Sequence, residues 1–262
     1  MTTRTLMLAL AISATLLAGC KQQAAGSPAA GDAARLRSLG SLQFKPCSLA
    51  SPLPNGKPLD AQCTTLAVPE DRSRQGGRKI DLNIAWIPPR NTSDPAADPV
   101  FFLAGGPGQA AVATFPAMAP VFKDVMKDRG VVLVDQRGTG KSHPLNCKSA
   151  GSEQNGSDPA AARAWIEACI AELSPKADLR RYTTTDAVAD LEAVRKAIGA
   201  DRINLMGVSY GTRMAQQYAL RHPQHVRTVT LDSPVPNTLG LGNSCAGNLD
   251  SALQAQFALC KE

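Results

Sequence analysis

Gly207-Val208-Ser209-Tyr210-Gly211 sets one serine midway between two glycines. An apolar run from Ile203 to Met206 precedes it, and a helix-forming stretch from about Tyr210 to Arg221, ended by Pro223, follows it. A nucleophile elbow requires that strand-to-helix context, because the turn is too tight for side chains at the flanking positions and lifts the serine clear of the strand end. A serine placed there can attack an acyl carbonyl. The first amides of the helix behind it, Tyr210 N–H foremost, can hold the oxyanion that forms. Alone, Gly-x-Ser-x-Gly is a weak signal, and a serine in an ordinary strand-to-helix turn is the competing reading.

Acyl transfer calls for a second N–H donor on the carbonyl oxygen. Gly105-Gly106-Pro107-Gly108 follows the apolar run ending at Leu103, and a glycine-rich loop can bring a backbone amide close without side-chain interference, so Gly106 is the expected donor. A plain β-turn would use the same residues. Asp135-Gln136-Arg137-Gly138-Thr139-Gly140-Lys141-Ser142 also ends an apolar run. It lacks the first glycine and the spacing of a phosphate loop, and reads as a structural loop at the rim of the site in which Asp135 and Arg137 pair.

In this order, Ala104-Gly105-Gly106-Pro107-Gly108, Asp135 to Ser142 and Gly207-Val208-Ser209-Tyr210-Gly211-Thr212 together resemble the proline iminopeptidase and tripeptidyl aminopeptidase family of α/β-hydrolases, from about Cys47 to Pro236. The resemblance implies a serine exopeptidase that releases proline or short peptides from free N-termini through an acyl-enzyme, acting on peptide or small acyl substrates with no cofactor. Ala104 stands where proline iminopeptidases proper place histidine, which favours the tripeptidyl aminopeptidase branch.

A larger departure concerns the rest of the triad. In this fold the acid and the histidine follow the nucleophile in the chain. After Ser209 come only His222 and His225, in the loop leaving the elbow's own helix. A helix of about 12 residues sets them roughly 18 Å from the serine. His143 follows the third motif on the correct rim and is the outside candidate for a base. Asp232 ends the next strand, where it could orient a histidine but lies one strand early for the family's acid. The expectation is therefore that the catalytic acid and histidine are absent from this chain, which would be the N-terminal portion of such an enzyme. Two alternatives stay open: an esterase of the same mechanism, and a non-catalytic envelope lipoprotein that uses the scaffold for binding.

The elements that would position these residues follow from hydrophobic pattern. Val100 to Leu103 and Val131 to Val134 are short, wholly apolar runs, as expected of parallel strands buried on both faces. Residues 113–128 are expected to form the crossover helix between them, and Asp186 to Ile198 another, with Thr185 and Asp186 at its start. Cys63 to Val68 and Ile80 to Ile87 read as antiparallel strands joined through a polar turn at 71–77, and Val226 to Leu231 as a strand after the elbow. The sum is an α/β-hydrolase fold: a mostly parallel sheet with helices on both faces, truncated before the cap and the last core strands.

Arg4, the apolar run from Leu6 to Leu17 and Leu17-Ala18-Gly19-Cys20 have the layout of a secretory signal, and the last four residues closely resemble the bacterial lipobox, with Cys20 as the lipidated residue. Residues 1–20 are then a lipoprotein signal peptide, 21–45 a flexible tether, 46–236 the hydrolase core and 237–262 the start of a cap. The protein is expected in the bacterial cell envelope, lipid-anchored and facing the periplasm, with Lys21 favouring the outer membrane. Export to an oxidising compartment makes disulfides the natural state of the remaining cysteines. Preference for short loops pairs Cys47 with Cys63, Cys147 with Cys169 and Cys245 with Cys260, among 15 connectivities open to six cysteines. No Cys-x-x-Cys pair or histidine cluster suggests a metal. The net charge of +6 is scattered and aromatics are 4% of the chain, which argues against nucleic-acid binding.

Overall fold

A computed structural model describes residues 36–93, 97–148, 158–240, 242 and 244–260. Cys20, the signal segment and most of the tether lie outside the described residues. Eight strands form one sheet: β1 (Arg37–Leu39), β2 (Leu42–Leu49), β3 (Leu59–Pro69), β4 (Lys79–Ile87), β5 (Val100–Leu103), β6 (Val131–Val134), β7 (Ile203–Val208) and β8 (Val226–Asp232). Their order is β1-β2-β3-β4-β6-β5-β7-β8. The first four and the β4–β6 pair are antiparallel, whereas β6, β5, β7 and β8 run parallel.

The apolar runs are buried strands because alternate residues feed two cores. Phe101, Leu103, Val132 and Val134 face one side, and Val100, Phe102, Val131 and Leu133 the other. On the first side pack α4 (Thr184–Ala197) and α5 (Tyr210–Arg221), through Val188, Leu191 and Val194 of α4 and Met214, Ala215 and Tyr218 of α5. On the second, Phe102, Phe115 and Phe122 meet edge to face with centroids 5.0 to 5.9 Å apart. Each such side chain, fully buried, stabilises the fold by about 1.5–3 kcal/mol.

Four differences from the sequence expectations have physical reasons. The tether does not extend to residue 45, since β1 and β2 form a hairpin with Leu39 opposite Leu42. Its turn uses Gly40 at φ 58°, and the alternation that buries Leu42 and Phe44 is its signal in the sequence. The crossover expected over 113–128 is two helices, α1 (Ala111–Met118) and α2 (Val125–Asp128). Pro116 and Pro120 supply no N–H donor, and the chain leaves the helical path after Met118. A helix that no pattern announced, α3 (Pro159–Leu173), begins where the Asp158 carboxylate accepts the Ala160 N–H and Pro159 occupies the first turn. Finally, α4 starts earlier than expected because Thr183, not Thr185 or Asp186, is its cap, accepting the Asp186 N–H while donating to the Asp186 carboxylate.

Disulfides join Cys47 to Cys63, tying β2 to β3, and Cys147 to Cys169 on α3. Cys245 and Cys260 are not joined; both are free and exposed. They stand at the two ends of one straight helix, α6 (Cys245–Leu259). Fifteen residues of helix separate their Cα atoms by roughly 22 Å, against the limit of about 7 Å for a disulfide.

Candidate active site

Ser209 sits between the end of β7 and the first residue of α5, at φ 52° and ψ −121°, a conformation that L-residues adopt only under constraint. The constraint is visible in the glycines. A Cβ on Gly207 would stand 2.4 Å from the Gly211 carbonyl oxygen, and one on Gly211 2.1 Å from that of Leu103. Helix, elbow and β5 thus touch backbone to backbone, which no other residue permits.

Three hydrogen bonds hold the turn from behind. The Ser209 N–H donates to the Asp232 carbonyl at 2.9 Å, the Thr212 hydroxyl to the Ser209 carbonyl at 2.6 Å, and the Val235 N–H to the Thr212 hydroxyl at 2.8 Å. Thr212 is fully buried, a role that sequence reasoning missed. Its place three residues after the nucleophile, where a helix residue faces back to the cap, was the available signal. The Tyr210 side chain is buried and its hydroxyl shares a hydrogen bond with the Thr184 hydroxyl at 2.7 Å, anchoring the first turn of α5 to the start of α4. This leaves the Tyr210 N–H at the helix terminus, beside the serine.

The loop after β5 meets the elbow directly. A Cβ on Gly105 would lie 3.1 Å from that of Ser209. Gly106 follows at φ 102°, so the amide expected to be the second oxyanion donor belongs to the residue adjoining that contact. Asp135 fixes this loop from the neighbouring strand, accepting the Val112 N–H at 2.9 Å, the Lys141 N–H at 3.1 Å and the Asn83 side-chain amide at 2.8 Å. It thereby caps the first turn of α1.

Asp135 does not pair with Arg137, contrary to expectation. The Arg137 side chain is completely buried and forms a two-pronged ion pair with Asp190 of α4, at 2.6 and 2.8 Å. It also donates to the carbonyls of Glu70, Arg181 and Pro69. Burial opposes its charge, and Asp190 more than compensates, so the guanidinium is held more firmly protonated than usual.

No imidazole of the chain is brought to Ser209. His143, the outside candidate, has its Nε2 3.3 Å from the Lys176 carbonyl and its ring stacked on Tyr182. His225 has its Nδ1 3.0 Å from the carbonyl of Asp201, just before β7 begins, a strand's length from the elbow. His222 packs on Tyr218 at the far end of α5, and burial there lowers its pKa. Asp232 touches the elbow through its backbone, while its carboxylate accepts from the Ser233 hydroxyl. Among the described residues no group of three or more histidine, cysteine or acidic side chains could hold a metal ion, and no helix is long and apolar enough to cross a membrane.

Comparison with known proteins places these features. A family model described as alpha/beta hydrolase fold matches residues 98–258. The tripeptidyl aminopeptidase of Streptomyces lividans is 30% identical over 196 residues, covering 68% of this chain and 36% of that protein. Serine protease Hip1 of Mycobacterium tuberculosis is 30% identical over 252 residues, 87% of this chain and 46% of that protein. Proline iminopeptidase of Neisseria gonorrhoeae is 32% identical over 141 residues, 53% of this chain and 34% of that protein. The chain spans less than half the length of these curated relatives.

Proposed function

The chain belongs to the α/β-hydrolase family, and on that premise we propose that it carries the nucleophile and oxyanion half of a serine exopeptidase releasing short peptides or proline from free N-termini. The observation that carries this reading is the backbone of Ser209, held at φ 52° between two glycines that contact neighbouring backbone. Such strain is kept where a side chain must be presented at a fixed point. In this mechanism the Ser209 hydroxyl attacks the scissile carbonyl, the Tyr210 and Gly106 N–H groups stabilise the oxyanion, and an acyl-enzyme forms as the amine leaves. A serine hydroxyl needs a base to take its proton. All three histidines are engaged elsewhere, so this reading assigns neither the base nor its orienting acid to a described residue.

The test is labelling with a fluorophosphonate, which reacts with activated serines, of the full-length polypeptide that carries this sequence. Expected is a label that vanishes in Ser209→Ala, with release of tripeptide or proline from chromogenic amides falling roughly 10⁴-fold or more. A folded full-length protein that takes no label would overturn the assignment. The engagement of every imidazole with other partners favours one other reading, a binding lipoprotein that needs no base, and that result would select it. Labelling of the 262-residue chain by itself would point back to His143. The cellular setting belongs to the same proposal: the Cys20 lipobox predicts incorporation of radiolabelled palmitate that is abolished by Cys20→Ser.

A further inference from the structure

An open cleft of about 690 Å³ lies beside the turn between β3 and β4, walled by that turn and by the segment joining α3 to α4. It occupies the same rim of the sheet as Ser209. Ile84 of β4 pairs with Val134 at the end of β6, so the start of β4 and the turn before it project beyond the C-terminal ends of the parallel strands, where the elbow also lies. Four strand spacings separate β3 from β7, roughly 19 Å along the sheet.

Three carboxylates, of Glu70, Asp71 and Asp178, and three guanidiniums, of Arg74, Arg78 and Arg180, line the cleft, and Arg181 adds a fourth cation just outside it. Every carboxylate is already matched: Glu70 by Arg78 at 3.4 Å with the Asp178 N–H and the Tyr182 hydroxyl, Asp71 by Arg181 at 3.0 Å, and Asp178 by Arg180 at 2.8 Å. Arg74 lines the cleft as well, and among the described residues no carboxylate lies within ion-pair distance of its guanidinium. Its nearest carboxyl influence is on Asp71, which the Ser73 hydrogen bonds chiefly keep ionised. Ile170 and Leu179 give the cleft an apolar wall, and Ile166, one turn before Ile170 on α3, extends it as an exposed surface.

We propose that this cleft is an extended-substrate site for a peptide carboxylate preceded by an aliphatic residue, with Arg74 receiving the carboxylate and Ile170 the aliphatic side chain. The proposal rests on the reading of Ser209 as a peptidase nucleophile. An extended chain covers about 3.4 Å per residue, so the carboxylate sits at least about six residues from the scissile bond, on the leaving side of the peptide. The site would favour peptides of that length ending in an acidic residue over shorter or amidated ones.

Binding is read by calorimetry on the full-length Ser209→Ala protein at low ionic strength, with an alanine-based dodecapeptide ending in leucine and glutamate. Expected is saturable binding that weakens about fivefold with a carboxamide end carrying glutamine for glutamate, and again in Arg74→Glu. Arg74→Glu should instead gain affinity for the same peptide ending in lysine amide, a reversal that loss of structure cannot produce. Equal binding of the acidic and amidated peptides, no reversal in Arg74→Glu, or no binding at all would overturn the proposal. Charge-dependent binding by a protein that takes no fluorophosphonate would keep the cleft and remove the peptidase reading.

Discussion

A Cβ added to Gly211 would stand 2.1 Å from the carbonyl oxygen of Leu103, closer than any pair of such atoms can approach. The contact joins α5 to β5 through rigid backbone on both sides, so neither partner can yield as a flexible side chain would. Gly211→Ala is predicted to cost roughly 3 kcal/mol, at the upper end of overpacking effects. Urea denaturation followed by circular dichroism measures it, and a midpoint within error of the parent would show that the helix can withdraw freely.

The strain at Ser209 predicts a gain. Its φ of 52° and ψ of −121° suit glycine and penalise every side chain. Ser209→Gly should therefore raise stability by about 1 kcal/mol while abolishing any labelling, whereas Ser209→Ala keeps the strain and should be close to neutral. Equal stability of the two variants would mean that the elbow is not strained.

Much of this site is legible in the sequence, because its demands are local. A serine between glycines, with a strand before it and a helix after it, suits a turn of this kind, and the glycines at 105, 207 and 211 all meet backbone or the elbow. What sequence does not supply is pairing at a distance. Asp135 and Arg137 are two residues apart on a strand end, close enough to suggest a pair, yet Arg137 is 53 positions from its partner Asp190. The β1–β2 hairpin announces itself only through the short alternation that buries Leu42 and Phe44, which follows directly on a small, polar stretch. The Cys245 to Cys260 pairing fails because short sequence separation means a long distance when the intervening chain is helical. His143, the outside candidate for a base, has its ring on Tyr182 and its Nε2 beside the Lys176 carbonyl, contacts made 33 and 39 positions along the chain that its sequence setting does not announce.

Arg137 lends itself to a double test. It reaches Asp190 with two hydrogen bonds, and Arg72 supplies a further ion pair from a more exposed position. Arg137→Ala removes the buried cation and leaves Asp190, 3% exposed, with Arg72 as its remaining ion-pair partner, so the loss should be below the figure of about 3–5 kcal/mol typical of a buried charge left with no partner. Replacing both, Arg137→Met with Asp190→Leu, should recover much of that loss. If the double variant is no better than the single, the three backbone carbonyls served by Arg137 matter more than the ion pair.

Glu192 should contribute to acid sensitivity, together with the other carboxylates that cations or hydrogen bonds hold ionised, such as Asp98 and Asp178. Burial works against ionisation of Glu192, but hydrogen bonds from Arg195 and Tyr218 outweigh that, and its pKa falls from 4.5 to about 2. Because the folded value is the lower one, the stabilisation is present above pH 4.5 and disappears as the pH falls toward 2. Allowing for solvent screening, it amounts to about 1–2 kcal/mol. Glu192→Gln should be less stable than the parent at pH 7 and lose less stability between pH 5 and pH 2, as urea midpoints across that range will show. Parallel losses in the two proteins would show that Glu192 makes no such contribution.

The two thiols of α6 give the last test. Cys245 and Cys260 are exposed and unpaired, while Cys47, Cys63, Cys147 and Cys169 are in disulfides. Iodoacetamide applied without reductant should modify the peptides containing Cys245 and Cys260 and leave the four disulfide-bonded cysteines untouched until a reductant is added, by mass spectrometry of the digest. Reduction should then lower stability, the 16-residue separation of Cys47 and Cys63 alone contributing about 3 kcal/mol by the loop-closure argument. A cross-linked Cys245–Cys260 peptide would require α6 to fold back on itself. A straight helix cannot do so, and that product would mean the segment is not helical in solution.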